Sequence, residues 1–193
     1  MEGLTYEDVF AAKGIEYLMA MSVKVYYHHG HSWVIPESGH VVRVGIDDFA
    51  QKLVGKIDAI NLPQVGAQVA QGEKAWSLLV DSKSIDMLSP VDGKILEINE
   101  DLLSSPEGIS KDPYGESWLM KVQAPNISTN LKNLLSGRLA RKWMEGVREN
   151  LFARMNYNLG AVSQDGGVPV DGTARNLDRE RWDKIAKEFF LIS

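Results

Sequence analysis

The chain has 193 residues and a net charge of −5, with 44% hydrophobic and 24% charged residues. This length suits one folded domain with extensions, or a domain and a half, and the negative charge argues against nucleic acid and anionic membranes as partners. The absence of cysteine excludes disulfides, thiol catalysis and cysteine-ligated metals. An acidic start and the lack of an apolar run of about 20 residues predict neither a signal peptide nor a membrane helix, and therefore a cytoplasmic protein.

The N-terminal segment, residues 1–22, has helical character. Thr5 can cap a helix that runs to Met21, and Val9 and Phe10 fall near one face of it. We expect this segment to pack on the rest of the chain or to reach a partner.

Short alternating runs then predict β-strands from residue 23 onward. A short helix is predicted over 46–54, because acidic residues stand at its start and Gly55 follows its end. A hairpin turn is predicted at 36–39, and a polar connection over 99–112. The predicted strands are Val23–Tyr27, Trp33–Ile35, Lys56–Leu62, Ala75–Val80, Ile85–Leu88, Lys94–Ile98 and Ser117–Val122.

The stretch Gly72–Gly93 reads as a β-hairpin, and the other elements look like support for it. Asp81-Ser82-Lys83-Ser84, between its two strands, consists of small or polar residues that turns favour. Pro90 then ends the ladder, because proline cannot donate a backbone hydrogen bond.

Four histidines, His28, His29, His31 and His40, lie within thirteen residues. The histidine imidazole is the commonest metal ligand, but no carboxylate stands at a recognised metal-site spacing among these four histidines. We therefore predict no metal site and interpret His28, His29 and His40 as strand-end or exposed residues.

The C-terminal part changes to helical periodicity. A helix is predicted over Asn130–Met155, with Gly137 and Gly146 as possible breaks, followed by a Gly-rich loop over 156–173. Asn176 can cap a final helix over 177–191. The apolar face of this final helix carries Trp182, Ile185, Ala186, Phe189 and Phe190. We expect that face to pack on the protein's own helices; a partner's groove or a second subunit is the alternative.

A resemblance to a known family rests on a series of short motifs between His28 and Gln123. In this order and spacing the chain resembles the H protein of the glycine cleavage system and, more widely, lipoyl and biotinyl carrier domains. The motifs are Gly30–Val34, Val44–Gln51, Leu53–Gly55, Leu62–Gly66, Gly72–Glu73, Ser89–Gly93, Ile98–Asn99 and Asp112–Leu119.

The resemblance implies a mainly β fold, a lipoyl-domain-like barrel-sandwich hybrid, with an N-terminal helix and C-terminal helices. We divide the chain into an N-terminal helical segment (1–22), an H-protein-like β domain (23–126) and a C-terminal helical extension (127–193).

The chain departs from the family at the residue that carries the lipoyl group. Counting from Gly72, Pro90 and Gly93, the position of the modified lysine is occupied by Ser82. The lysine of the turn, Lys83, is one place late, and a shift of one residue in a strand turns a side chain to the other face. H proteins also carry a glutamate at the position of Leu79. The resemblance therefore implies that no lipoyl group is attached.

Three hypotheses follow, none of them enzymatic, because no nucleophile, base and orienting group are assembled in the sequence. The first is a non-lipoylated paralogue that binds protein partners, possibly lipoate-linked enzymes, and needs no cofactor. The second is a carrier lipoylated on Lys83, which by resemblance would shuttle an aminomethyl group in glycine decarboxylation. It would receive that group from a decarboxylating enzyme, pass it to a folate-dependent transferase and be reoxidised by a flavin dehydrogenase. The third is a subunit of a homo-oligomer assembled through the C-terminal helices.

Overall fold

A computed structural model describes residues 24–159 and 171–192. The predicted N-terminal helix and most of the predicted Gly-rich loop lie outside these ranges. Ten strands are present in the described ranges: Tyr26–Tyr27 (β1), Ser32–Pro36 (β2), Val41–Ile46 (β3), Ala59–Asn61 (β4), Gln68–Val69 (β5), Lys74–Val80 (β6), Lys83–Leu88 (β7), Gly93–Ile98 (β8), Met120–Gln123 (β9) and Leu135–Ser136 (β10).

The strands form two antiparallel sheets that enclose the core. The larger sheet has the order β10-β1-β2-β3-β9-β8-β5, and the smaller has the order β4-β6-β7. Alternate residues of β6 and β7 point inward, so that Leu78, Val80, Ile85 and Met87 are fully buried. They meet residues of the larger sheet such as Val44, and this packing confirms the predicted mainly β, two-sheet architecture.

Helices occupy the ends of the sheets and the C-terminal part. The α-helices of the described ranges are Asp48–Val54 (α1), Glu100–Ser104 (α2), Ile127–Asn130 (α3), Gly137–Leu159 (α4), Thr173–Leu177 (α5) and Trp182–Phe189 (α6). Two 3₁₀ turns span Pro106–Ser110 and Leu131–Asn133. The connection predicted over 99–112 therefore contains α2 and a 3₁₀ turn, because Leu102 and Ile109 are buried in the core.

The short helix α1 is confirmed where the sequence predicts it. The side chain of Asp47 accepts a hydrogen bond from the Ala50 amide at 2.8 Å, which caps the first turn. Gly55 ends the helix with φ of 78°, a backbone conformation that glycine adopts without a steric penalty.

The helix predicted over Asn130–Met155 is wrong at both ends. Residues 135–136 instead form β10, which pairs with β1, so the long helix α4 begins only at Gly137. Tertiary pairing has overridden local helical propensity here. Gly146 does not break α4, which continues to Leu159, so residues 156–159 of the predicted Gly-rich loop are helical instead.

The final helix is shorter than predicted and is preceded by a separate turn of helix, α5. Its apolar face is covered by the chain itself: Trp182 is 2% exposed, and Ala186 and Phe190 are fully buried. These residues belong to the same core cluster as the two sheets, and α6 contacts β7 as well as α5. Packing within the chain is thus confirmed, although much of the contact is with the β domain rather than with other helices.

Candidate functional site

The candidate site is the tip of the β6–β7 hairpin. Val80 pairs with Lys83 and Leu79 with Ser84, so only Asp81 and Ser82 remain as the loop. Both residues have positive φ, 47° and 62°, which is the backbone of a type I′ turn. The turn is therefore shorter than the predicted four residues, because Lys83 and Ser84 already belong to β7.

Ser82 and Lys83 have different surroundings. Ser82 is exposed in the turn, at the end of the hairpin. Lys83 is the first residue of β7. Residues two apart in a strand share a face, so the Lys83 side chain points to the same side of the sheet as the buried Ile85 and Met87. That side of the smaller sheet is where α6 lies.

The ammonium group of Lys83 is held by α6 and the residues just before it. Its Nζ donates hydrogen bonds to Asp183 Oδ1 at 2.6 Å and to the Glu180 carbonyl oxygen at 2.7 Å. It also lies 5.5 Å from the centroid of the Trp182 ring, within range of a cation–π contact. The hydrogen bond from Lys83 lowers the pKa of the Asp183 carboxyl. Lys83 is thus a bound cation, although its side chain remains 37% exposed.

A second cation, Arg175 of α5, ties the turn to the C-terminal part. Its Nη1 donates to Asp81 Oδ2, its Nη2 donates to the Val54 carbonyl oxygen at 3.2 Å, and its guanidinium lies 5.9 Å from the Trp182 ring centroid. On the other side, the Asp81 amide donates to Asp58 Oδ2 at 2.9 Å. The tip is therefore braced from both sides.

These tip contacts leave a polar cavity of about 670 Å³ between the hairpin and α5–α6. Asp81, Lys83, Arg175 and Arg179 line it. Lys83 pairs with Asp183, and Arg175 pairs with Asp81. Two ion pairs therefore join the tip to α5 and α6.

The four histidines differ in burial. His31 is 1% exposed, and its Nδ1 lies 2.8 Å from Asp47 Oδ2, whereas His29 and His40 are exposed as predicted. Burial, with the neighbouring imidazoles, lowers the pKa of His28 to about 4, which leaves that ring neutral at pH 7. Within the described ranges no group of three His, Asp or Glu side chains is arranged to hold a metal ion.

Sequence reasoning missed the residues that hold the tip. Arg175 and Asp183 lie 94 and 100 positions from their partners Asp81 and Lys83, and no local pattern links such distant residues. The periodic apolar face around Trp182 indicated that α6 would be covered, but it did not indicate which residues would cover it.

No helix of residues 24–159 or 171–192 is both long and apolar enough to cross a membrane.

Two small sheets with an exposed hairpin turn define a lipoyl-domain-like fold, the class of the carrier domains. The model of the family "Glycine cleavage H-protein" matches residues 25–147, and the chain belongs to this family.

Similar proteins with the same description come from bacteria and archaea. The glycine cleavage system H protein of Mycolicibacterium smegmatis is 41% identical over 114 residues, covering 58% of this chain and 86% of that protein. The one from Coprothermobacter proteolyticus is 43% identical over 110 residues, covering 57% and 86%. The crystal structure of the H protein from Mycobacterium marinum superposes with a TM-score of 0.55 at 29% identity, covering 63% of this chain and 94% of that one.

Proposed function

We propose that this chain is a family member that carries no lipoyl group and serves as a protein-binding accessory module rather than as an enzyme. The observation that carries the proposal is the arrangement at the hairpin tip. Ser82 lies in the exposed turn, while the Nζ of Lys83 is bound by Asp183 and the Glu180 carbonyl.

The chemistry of amide formation supports this proposal. A lysine that receives an acyl group must present a neutral, accessible amine to the ligase, because a protonated amine has no lone pair for attack. The Nζ of Lys83 instead donates to two oxygen acceptors and lies against an aromatic ring, so it is not freely presented. Acylation there would also remove the ion pair and separate α6 from the tip.

The alternative function is that of a working carrier, lipoylated on Lys83, which passes an aminomethyl group between enzymes of glycine decarboxylation. The partial exposure of the Lys83 side chain, 37%, favours keeping this alternative. It requires that α6 release the amine before the ligase acts.

Mass spectrometry separates the two functions. The chain is expressed with a lipoate ligase and lipoate, its intact mass is measured, and the peptides spanning residues 76–94 are mapped. We expect an unmodified chain beside a family H protein that is modified in the same cells. A lipoyl group on Lys83 would overturn the proposal.

A matched variant tests the position of the lysine. Ser82→Lys combined with Lys83→Ala moves the amine into the turn and removes the bound lysine. Lipoylation of this double variant would attribute the difference to the lysine position alone. An unmodified double variant would attribute it to the rest of the tip, including Leu79, where the family resemblance implies a glutamate.

The accessory role is tested by binding. We expect the immobilised chain to bind at least one of the three lipoate-linked enzymes implied by the resemblance: the decarboxylating enzyme, the folate-dependent transferase or the flavin dehydrogenase. Failure to bind any of them would contradict this choice of partner. Light scattering of the free chain tests the third role, since a stable homo-oligomer would favour assembly.

A further inference from the structure

A groove separate from the hairpin tip runs between α4 and the last residues of the described chain. Its volume is about 570 Å³. The apolar part of its wall is formed by Trp143, Val147, Phe189 and Leu191. The polar part is formed by His29, His31, Lys142, Asn150 and Glu188, and Gly146 completes the lining.

A buried histidine faces this groove. The Nδ1 of His31 is taken by Asp47, which is itself fully buried. Phe49 stacks on the imidazole at 4.6 Å, and the Trp143 ring lies 4.9 Å away. The His31 ring is 1% exposed and lines the groove, so it forms part of the groove wall.

The charge at the rim is positive. The carboxylate of Glu188 is neutralised by Arg154 at 2.6 Å, and the same arginine donates to the Asn150 side-chain oxygen at 3.0 Å. The Lys142 ammonium has no carboxylate within ion-pair distance in the described ranges. Among the described residues, the charge that remains without an ion-pair partner at the groove is therefore the Lys142 ammonium.

Gly146 keeps the groove open. A Cβ added at this residue would meet no atom within 4 Å, and the residue does not need a positive φ. Glycine within a helix is unfavourable relative to other residues, so neither backbone conformation nor close packing accounts for it here. A larger side chain at this position would project into the groove.

From these features we propose that the groove binds a small carboxylate with an apolar body. The carboxylate lies against Lys142, and the apolar body lies on Trp143 and Phe189. This function goes beyond the role of the hairpin tip and does not depend on whether Lys83 is modified.

Calorimetric titration with sodium octanoate tests the site, with octylamine at the same pH as the control of opposite charge. We expect saturable binding of octanoate with a Kd on the order of 1 mM or below, and at least tenfold weaker binding of octylamine. Lys142→Gln should weaken octanoate binding several-fold. Equal binding of the two ligands, or no binding of octanoate, would overturn the proposal.

Two substitutions at one residue separate blocking from misfolding. Gly146→Leu fills the groove and should weaken octanoate binding at least tenfold, while raising the thermal midpoint by a few degrees because helix propensity improves. Gly146→Ala should raise the midpoint similarly and keep binding within about twofold of the wild type. Octanoate binding to Gly146→Leu at wild-type strength would place the ligand elsewhere and overturn the proposal.

Discussion

Two hairpin turns of this protein have the same left-handed backbone conformation but are held in place by different parts of the fold. Gly39 and His40, between β2 and β3, have φ of 66° and 62°, and Asp81 and Ser82, between β6 and β7, have 47° and 62°. The first turn is held from within its own sheet, by the Gln123 side chain of β9, which donates to the Gly39 carbonyl at 2.9 Å. The second is held by helices about a hundred positions away. A turn's conformation thus follows from local sequence, but its accessibility depends on the rest of the fold.

The contacts of α5 and α6 with Asp81 and Lys83 form a clamp on the second turn. The largest test of this comparison removes the apolar anchor of this clamp. Phe190→Ala should lower the free energy of unfolding by about 3–5 kcal/mol, because the ring is fully buried in the core shared with the sheets. Denaturant unfolding measures the loss. Leu191→Ala is the matched control, since Leu191 is 57% exposed and should lose less than about 1 kcal/mol. A loss below about 1 kcal/mol for Phe190→Ala would show that the extension only rests on the domain.

The first turn offers a smaller test. Gly39→Ala should cost about 1 kcal/mol, because an added Cβ disfavours positive φ, while it would meet no atom within 4 Å. Ser38→Ala, in the same exposed loop, is the control and should be close to neutral. Equal stabilities of the two variants would mean that the turn adapts its backbone.

The ion pair of the clamp should contribute less. A double-mutant cycle with Lys83→Gln and Asp183→Asn is expected to give a coupling energy of at most about 1 kcal/mol, because both side chains are partly solvated. The lowered pKa of Asp183 fixes the sign of the pH dependence. Its contribution is complete above the unfolded-state pKa of the carboxyl and is lost as the pH falls through the lower folded-state value. In Lys83→Gln this acid-dependent loss should shrink; additive single variants would show that the pair is not coupled.

The smallest expected effect is at the clamped turn. Ser82→Gly should stabilise the protein by a few tenths of a kcal/mol, since relief of the left-handed backbone exceeds the entropy that glycine gains on unfolding. Thermal unfolding of the variant and the wild type measures the difference. A loss of stability would indicate that the Ser82 side chain makes a contact that its exposed position does not suggest.

Local signals predicted much of the β domain. The hairpin strands, the cap at Asp47 and the end of α1 at Gly55 all depend on residues within a few positions of each other. The split of the C-terminal region into β10 and α4 could not be read in this way, because β10 exists only through its pairing with β1. The same limit hid the clamp, whose partners are far apart in sequence.

His31 shows another limit of local reading. The acidic residues at the start of α1 predict only a helix N-terminus, but the two oxygens of Asp47 serve both the Ala50 amide and the His31 ring. Once one oxygen is assigned to a cap, the sequence gives no sign that the other is used by a strand residue. The burial of His31 follows from this shared carboxylate.

The clamp on Lys83 and Asp81 also sets a rule of mutual exclusion. A protein that grips the hairpin tip needs the same surface that α5 and α6 occupy, so it binds only the fraction of molecules in which these helices have detached. Its apparent dissociation constant is therefore its intrinsic one divided by that fraction. Since detachment also exposes Phe190, it costs about 3–5 kcal/mol or more, and the affinity falls by a factor of at least about 100. Substitutions that loosen the helices would then tighten binding at the tip without altering a single atom of the binding surface.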